Sequence, residues 1–130
     1  MKKFVLFFCS AIFLAGCASL TVSEVTAKNR ENLVKLYVGQ TRSNALSTMG
    51  SCPVTLDCAV APGKQTKEVI IPNPYRTETV QSADRRFEVV YYAIDIKDDC
   101  TVNEDGLMPL VFENDKLMGW GKEFLQSIKK

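Results

Sequence analysis

The sequence predicts an α+β domain in which two N-terminal helices pack on a three- to four-stranded antiparallel meander. Three observations lead there. Leu33, Leu36 and Tyr37 recur at helical spacing before Gly39, and a second short segment from Thr41 to Met49 carries its own capping residue. The run from Phe87 to Ile96 is dense in aromatic and β-branched residues, which suit a pleated, half-buried surface. Two further apolar segments, Met108–Phe112 and Lys116–Trp120, are separated by Glu113-Asn114-Asp115, a turn-like junction.

Taken from its start, the chain opens with Lys2 and Lys3, an apolar run from Phe4 to Leu14, and then two small residues and a cysteine. That is the layout of a secretory signal. The apolar run is only about half of the roughly 20 residues a membrane-spanning helix needs, which argues against a retained transmembrane segment. Leu14-Ala15-Gly16-Cys17 resembles the lipobox of bacterial lipoproteins. The resemblance implies residues 1–16 as a signal peptide, cleavage between Gly16 and Cys17, a diacylglycerol on the Cys17 thiol and an acyl chain such as palmitate on the new amino group. Several acyl chains together hold a protein at a membrane far more firmly than one. Ala18 and Ser19 follow the cysteine where an aspartate would favour retention in the inner membrane, so the expected address is the outer membrane, facing the periplasm. Residues 17–26 read as a short lipidated tether and 27–130 as a single domain.

Loss of the first 16 residues would remove Lys2 and Lys3 from the 16 basic residues, leaving 14 against 15 acidic ones. A near-neutral chain has no basic field to recruit nucleic acid. The chain contains no histidine, which removes the commonest general base and the Ser-His and Cys-His nucleophile pairs, and the adjacent acids Asp98-Asp99 and Glu104-Asp105 sit in a loop rather than in a tuned pair. A non-catalytic protein without a cofactor, apart from the lipid on Cys17, is expected. No metal site is expected either: zinc wants four ligands at recognisable spacings, and Asp95–Gly106 lacks the order of an EF-hand loop.

With Cys9 in the signal and Cys17 acylated, Cys52, Cys58 and Cys100 remain, enough for one bridge and one further thiol. Cys52 with Cys58, six apart in a loop-like stretch, is the favoured pairing; either of them with Cys100 is the alternative. Gly39 closes the first helix (Ala27–Val38), Thr41 caps the second, and Gly50 ends it. Residues 51–74 hold Pro53, Pro62, Pro72 and Pro74 and read as loop, with a short strand at Val69–Ile71. Tyr75–Gln81, a turn at Ser82–Arg85 and the Phe87–Ile96 run form a hairpin. Because both parities of that run are apolar, it reads as a central strand covered by helices on one face and partly shielded on the other. Asp95–Gly106 is a solvated connection, and Phe124, Leu125 and Ile128 close the chain in a helical turn or two.

Asn32–Thr41 with Ala45–Gly50 resembles the helical opening of the SmpA/OmlA (BamE-like) outer-membrane lipoproteins, whose topology is shared by β-lactamase-inhibitor-type domains. Asn73–Glu78, Phe87–Tyr92 and Pro109–Gly121 resemble a bacterial lipoprotein family known as a domain of unknown function, with the loop holding Cys52 and Cys58 departing from its pattern. The resemblance implies the fold and the compartment and brings no catalytic residue. It suggests a membrane-tethered interaction or scaffold module accessory to envelope or β-barrel assembly, with an envelope protein as partner and an open oligomeric state. A periplasmic sensor or inhibitor binding a soluble protein or small ligand is the alternative. Tyr75, Arg76, Trp120 and Phe124 are the candidate interface residues, since Tyr, Trp and Arg dominate interface energetics. Trp120, between two glycines at a strand end, is read in preference as packed against the helices.

Overall fold

A computed structural model describes residues 20–60 and 65–130, so the expected signal peptide and Cys17 lie outside the described residues. The first helix, α1, runs Val22–Leu33, beginning and ending about five residues earlier than the spacing predicts. Its start is set by a capping box. The Thr21 hydroxyl accepts from the Glu24 N–H at 3.3 Å, and the Glu24 carboxylate accepts from the Thr21 N–H at 2.7 Å. These bonds hold the Glu24 carboxyl below its usual range. Residues 22–26 therefore belong to the domain rather than to a tether, and Val25 is buried in its core. The buried stripe of α1 is Val25, Asn29 and Asn32, so a search for apolar periodicity alone mistakes its phase. Asn29 is satisfied by donating to the Ala93 carbonyl at 2.8 Å and to Asn73 Oδ1 at 3.2 Å.

The second helix, α2 (Arg42–Met49), follows the sequence prediction: Thr41 Oγ1 accepts from the Asn44 N–H, and Gly50 stands at φ +94°. Next comes an antiparallel hairpin of β1 (Val54–Ala59) and β2 (Thr66–Ile71), where the prolines suggest loop with one short strand. Its determinant is a period-2 alternation: Val54, Leu56 and Cys58 are buried. The main sheet is the predicted meander in its four-stranded form, β3 (Arg76–Ser82), β4 (Arg85–Ala93), β5 (Leu107–Glu113) and β6 (Lys116–Trp120), each strand antiparallel to the next. A 3₁₀ turn at Glu104–Gly106 leads into β5. Gly106 is required there, because a Cβ would lie 2.3 Å from the Asp95 carbonyl oxygen. The terminal helix α3 (Lys122–Ile128) closes the chain.

The centre of this sheet is covered on both faces, by different elements, where the sequence suggests helices on one side and partial shielding on the other. Phe87, Val89, Tyr91 and Ala93 of β4 meet Val25 of α1, the hairpin residues Val54, Leu56 and Ile71, and Leu125 of α3. Val90 and Tyr92 point the other way, onto Leu36 and the α2 residues Ala45 and Met49. The hidden factor is the hairpin, which supplies apolar cover from a stretch that reads as loop.

Candidate functional site

The predicted interface residues divide between the two faces. Arg76 stands opposite Tyr91 in the β3–β4 register, with its guanidinium 4.2 Å from the Tyr91 ring centroid. It grips the carboxylate of Glu104 with both terminal nitrogens, at 2.5 and 2.9 Å. The Tyr91 hydroxyl donates to Glu78 Oε1 at 2.6 Å, and Lys129 Nζ lies 3.9 Å from the same carboxylate oxygen. Together with Lys122 and Leu125 these residues line a cleft of about 310 Å³ between β3, the 3₁₀ turn and α3.

The electrostatics of the cleft are closed on themselves. The bond to Glu104 raises the Arg76 guanidinium pKa further, and Arg76 in turn holds the Glu104 carboxyl below its usual range. Burial, and then the hydrogen bond to Glu78, pushes the Tyr91 phenol up to about 12. A phenol that holds its proton to that pH is a poor base at neutrality. The cluster acts chemically as a clasp that ties the 3₁₀ turn to the edge of the sheet, and exposed ion pairs of this kind contribute little energy each.

The remaining candidates are structural. Tyr75 donates its backbone N–H to the Tyr91 carbonyl at 2.7 Å and packs half-buried beside the first core. Phe124 lies across Gly119, where any Cβ would stand 2.8 Å from its ring, so the glycine makes room for α3. Trp120 is half-buried against the α2 core on the opposite face, as the packing alternative expects. The structure thus brings Tyr75, Arg76 and Phe124 to one side of the sheet and Trp120 to the other.

Among the described residues the large exposed apolar side chains are Val60 and Ile70 in the β1–β2 hairpin region and a group of three close together in sequence. Val34, Tyr37 and Val38 are 82%, 60% and 63% exposed in the connector between α1 and α2. The helical phase places Tyr37 with Leu33 and Leu36, but α1 ends at Leu33, and of the apolar residues in the connector past that point Leu36 alone turns inward. The connector is braced. Buried Gln40 accepts from the Tyr37 N–H at 2.6 Å through its side chain, while the Gly39 N–H donates to the Leu117 carbonyl and the Leu117 N–H to the Gln40 carbonyl. Gly39, at φ +91°, makes the bend that aligns this segment with β6. The signal that could reveal the site is the break of apolar phase just before that glycine.

The cysteines pair differently from the favoured expectation. Cys58 bridges to Cys100, 42 residues away, with 5.4 Å between Cα atoms. Cys58 lies in the extended strand β1 rather than in a tight loop with Cys52, which places it against the turn at Cys100. Cys52 is engaged elsewhere. Asp95–Gly106 is correspondingly more than a solvated link: the Cys100 N–H donates to the Lys97 carbonyl at 2.7 Å, and the Ala59 N–H reaches the Asp98 carbonyl at 2.8 Å. Among the described residues no group of three or more Cys, Asp or Glu side chains is arranged to hold a metal ion.

These features define a small α+β domain, a four-stranded meander covered on both faces at its centre and a disulfide-stapled hairpin. The chain belongs to the family described as protein of unknown function DUF3192, which matches residues 18–127. That match includes the α1 start that the sequence reading assigns to a tether. No curated protein and no solved structure matches the chain.

Proposed function

We propose that the chain is a lipoprotein of the outer membrane facing the periplasm, held by acyl chains on Cys17, whose domain is a non-catalytic protein-interaction or scaffold module accessory to envelope or β-barrel assembly. The observation that carries the interaction reading is the braced connector with Val34, Tyr37 and Val38 in solvent. Apolar side chains held outward on an ordered turn cost little entropy to bury against a partner, and tyrosine is prominent among interface hot spots. The Leu14–Cys17 sequence supports the address, and the resemblance to the SmpA/OmlA (BamE-like) group supports the envelope setting.

A sensor or inhibitor binding a soluble protein or small ligand is the second reading. It draws on a groove of about 610 Å³ beside α2, lined among others by Arg42, Ser43, Leu46, Ser47 and Asp115. A photo-crosslinking residue in place of Tyr37 separates the two in intact cells, with the wild-type Cys17 form compared against Cys17→Ala exported by a soluble signal. Capture of an outer-membrane protein by the lipidated form alone supports the scaffold. Equal capture of a soluble periplasmic protein by both forms sinks it in favour of the sensor or inhibitor.

A further inference from the structure

The edges of the main sheet are treated differently. An uncovered edge strand offers a row of unpaired N–H and C=O groups, and proteins blunt such edges with covering segments, bulges, prolines, short strands or charges. The β6 edge is covered by residues 39–42: besides the Gly39 and Gln40 bonds to Leu117, Thr41 bridges Lys116, and the Arg42 N–H donates to the Asp115 carbonyl. The pairing of β5 with β6 also carries an irregularity at Val111/Phe112. In the separate hairpin, β2 exposes Lys67 and Glu68.

β3 has no covering segment, bulge or proline. It is seven residues long, Arg76-Thr-Glu-Thr-Val-Gln-Ser, with no proline and an unbroken register against β4. Its alternate residues Thr77, Thr79 and Gln81 are exposed and uncharged. Its two charges, Arg76 and Glu78, are already engaged within the chain, by Glu104, and by Tyr91 and Lys129. An added strand would therefore meet no unpaired charge. Among the described residues nothing pairs with the outer side of β3.

We infer that this edge takes a second copy of the chain, β3 pairing antiparallel with β3 about a two-fold axis at Thr79 to give one continuous eight-stranded sheet. The strand is complementary to itself in that register. Thr79 faces Thr79, Thr77 faces Gln81, Arg76 faces Ser82 and Glu78 faces Val80, so no like charges stand opposite one another and the centre is a Thr–Thr pair, a favourable cross-strand combination. Such a self-complementary edge gives a closed dimer rather than a fibre, because each copy spends its one unguarded edge of the main sheet in the contact. The near-neutral balance of the chain opposes self-association little.

The test uses the full-length chain in the cells that export it. Thr79→Cys should give a disulfide-linked homodimer on non-reducing gels, and Thr77→Cys should crosslink to a co-produced Gln81→Cys chain, while Ser43→Cys on the exposed side of α2 gives neither. No homodimer at Thr79, an equal yield at Ser43, or a Thr79→Cys adduct with a different polypeptide in place of the homodimer would overturn the inference. Thr79→Lys, which sets two ammonium groups face to face, should lower the dimer fraction of the detergent-purified protein about tenfold in sedimentation velocity. Its retained Cys58–Cys100 bridge would show that the fold is intact. An unchanged dimer fraction in that folded variant would equally reject the β3 edge.

Discussion

The two faces of the four-stranded sheet are closed by different kinds of chain. One is covered by a contiguous stretch, Leu36 to Met49, whose helix carries its own cap and stop, so nearby residues can form it early and pack it as a unit. The other is covered by pieces brought from distant parts of the sequence: Val25, the β1–β2 hairpin and Leu125. A two-stranded hairpin is marginal in isolation. Here it is held by what it packs on and by the Cys58–Cys100 bridge to the turn at Cys100. The contrast teaches that local capping suffices where cover is continuous, whereas assembled cover calls for a staple.

The sharpest way to break the contrast is to remove the staple. Cys58→Ala with Cys100→Ala should lower stability by about 4 kcal/mol, the chain-entropy value for a loop of 42 residues. Urea unfolding checks the sum, and hydrogen exchange should show β1–β2 amides losing protection before those of β4 and β5. Equal loss on both faces would mean that the hairpin is no weaker than the rest.

On the α2 face the corresponding experiment is a cavity. Met49 is buried at the end of α2, and Met49→Ala should cost about 3 kcal/mol in the same unfolding assay while leaving the disulfide formed. A smaller loss, about 1 kcal/mol, is expected for Tyr92→Phe. Its hydroxyl donates to the Gly50 carbonyl at 2.7 Å and ties the α2 stop to β4, and burial raises its phenol pKa.

The smallest effect concerns the cleft on the hairpin face. Absorbance titration should find Tyr91 ionising near pH 12. A phenol raised in the folded state contributes stability that is complete below the ordinary tyrosine value of about 10 and disappears as pH rises through about 12. Glu78→Gln should lower that apparent pKa, because the Tyr91–Glu78 hydrogen bond is one of its causes. Ionisation of Tyr91 at pH 10 in the folded protein would show that the clasp is open in solution.

Much of the skeleton was legible because its signals are local. Thr41 with Gly50 marks α2, Asn114-Asp115 marks the β5–β6 turn, and the aromatic run marks β4. The capping box Thr21-x-x-Glu24 was equally local, but it was obscured by a helix whose buried stripe uses two asparagines. The hairpin was masked by its flanking prolines, although Val54, Leu56 and Cys58 alternate as a half-buried strand should. Tyr, Trp and Arg point to an interface by type alone, and side-chain type does not record whether a partner from the same chain already occupies them. Arg76 and Phe124 show this, one held by Glu104 and the other folded over Gly119.

The sequence by itself determined the class of fold, the meander and its turns, and the caps of α2, since each depends on residues within a few positions of one another. Tertiary structure alone decided that Cys58 joins Cys100, that the centre of the sheet is covered on both faces, and that Tyr37 rather than Tyr75 meets solvent. The reason is physical: those outcomes depend on contacts between residues tens of positions apart, whose geometry exists only once the sheet has formed.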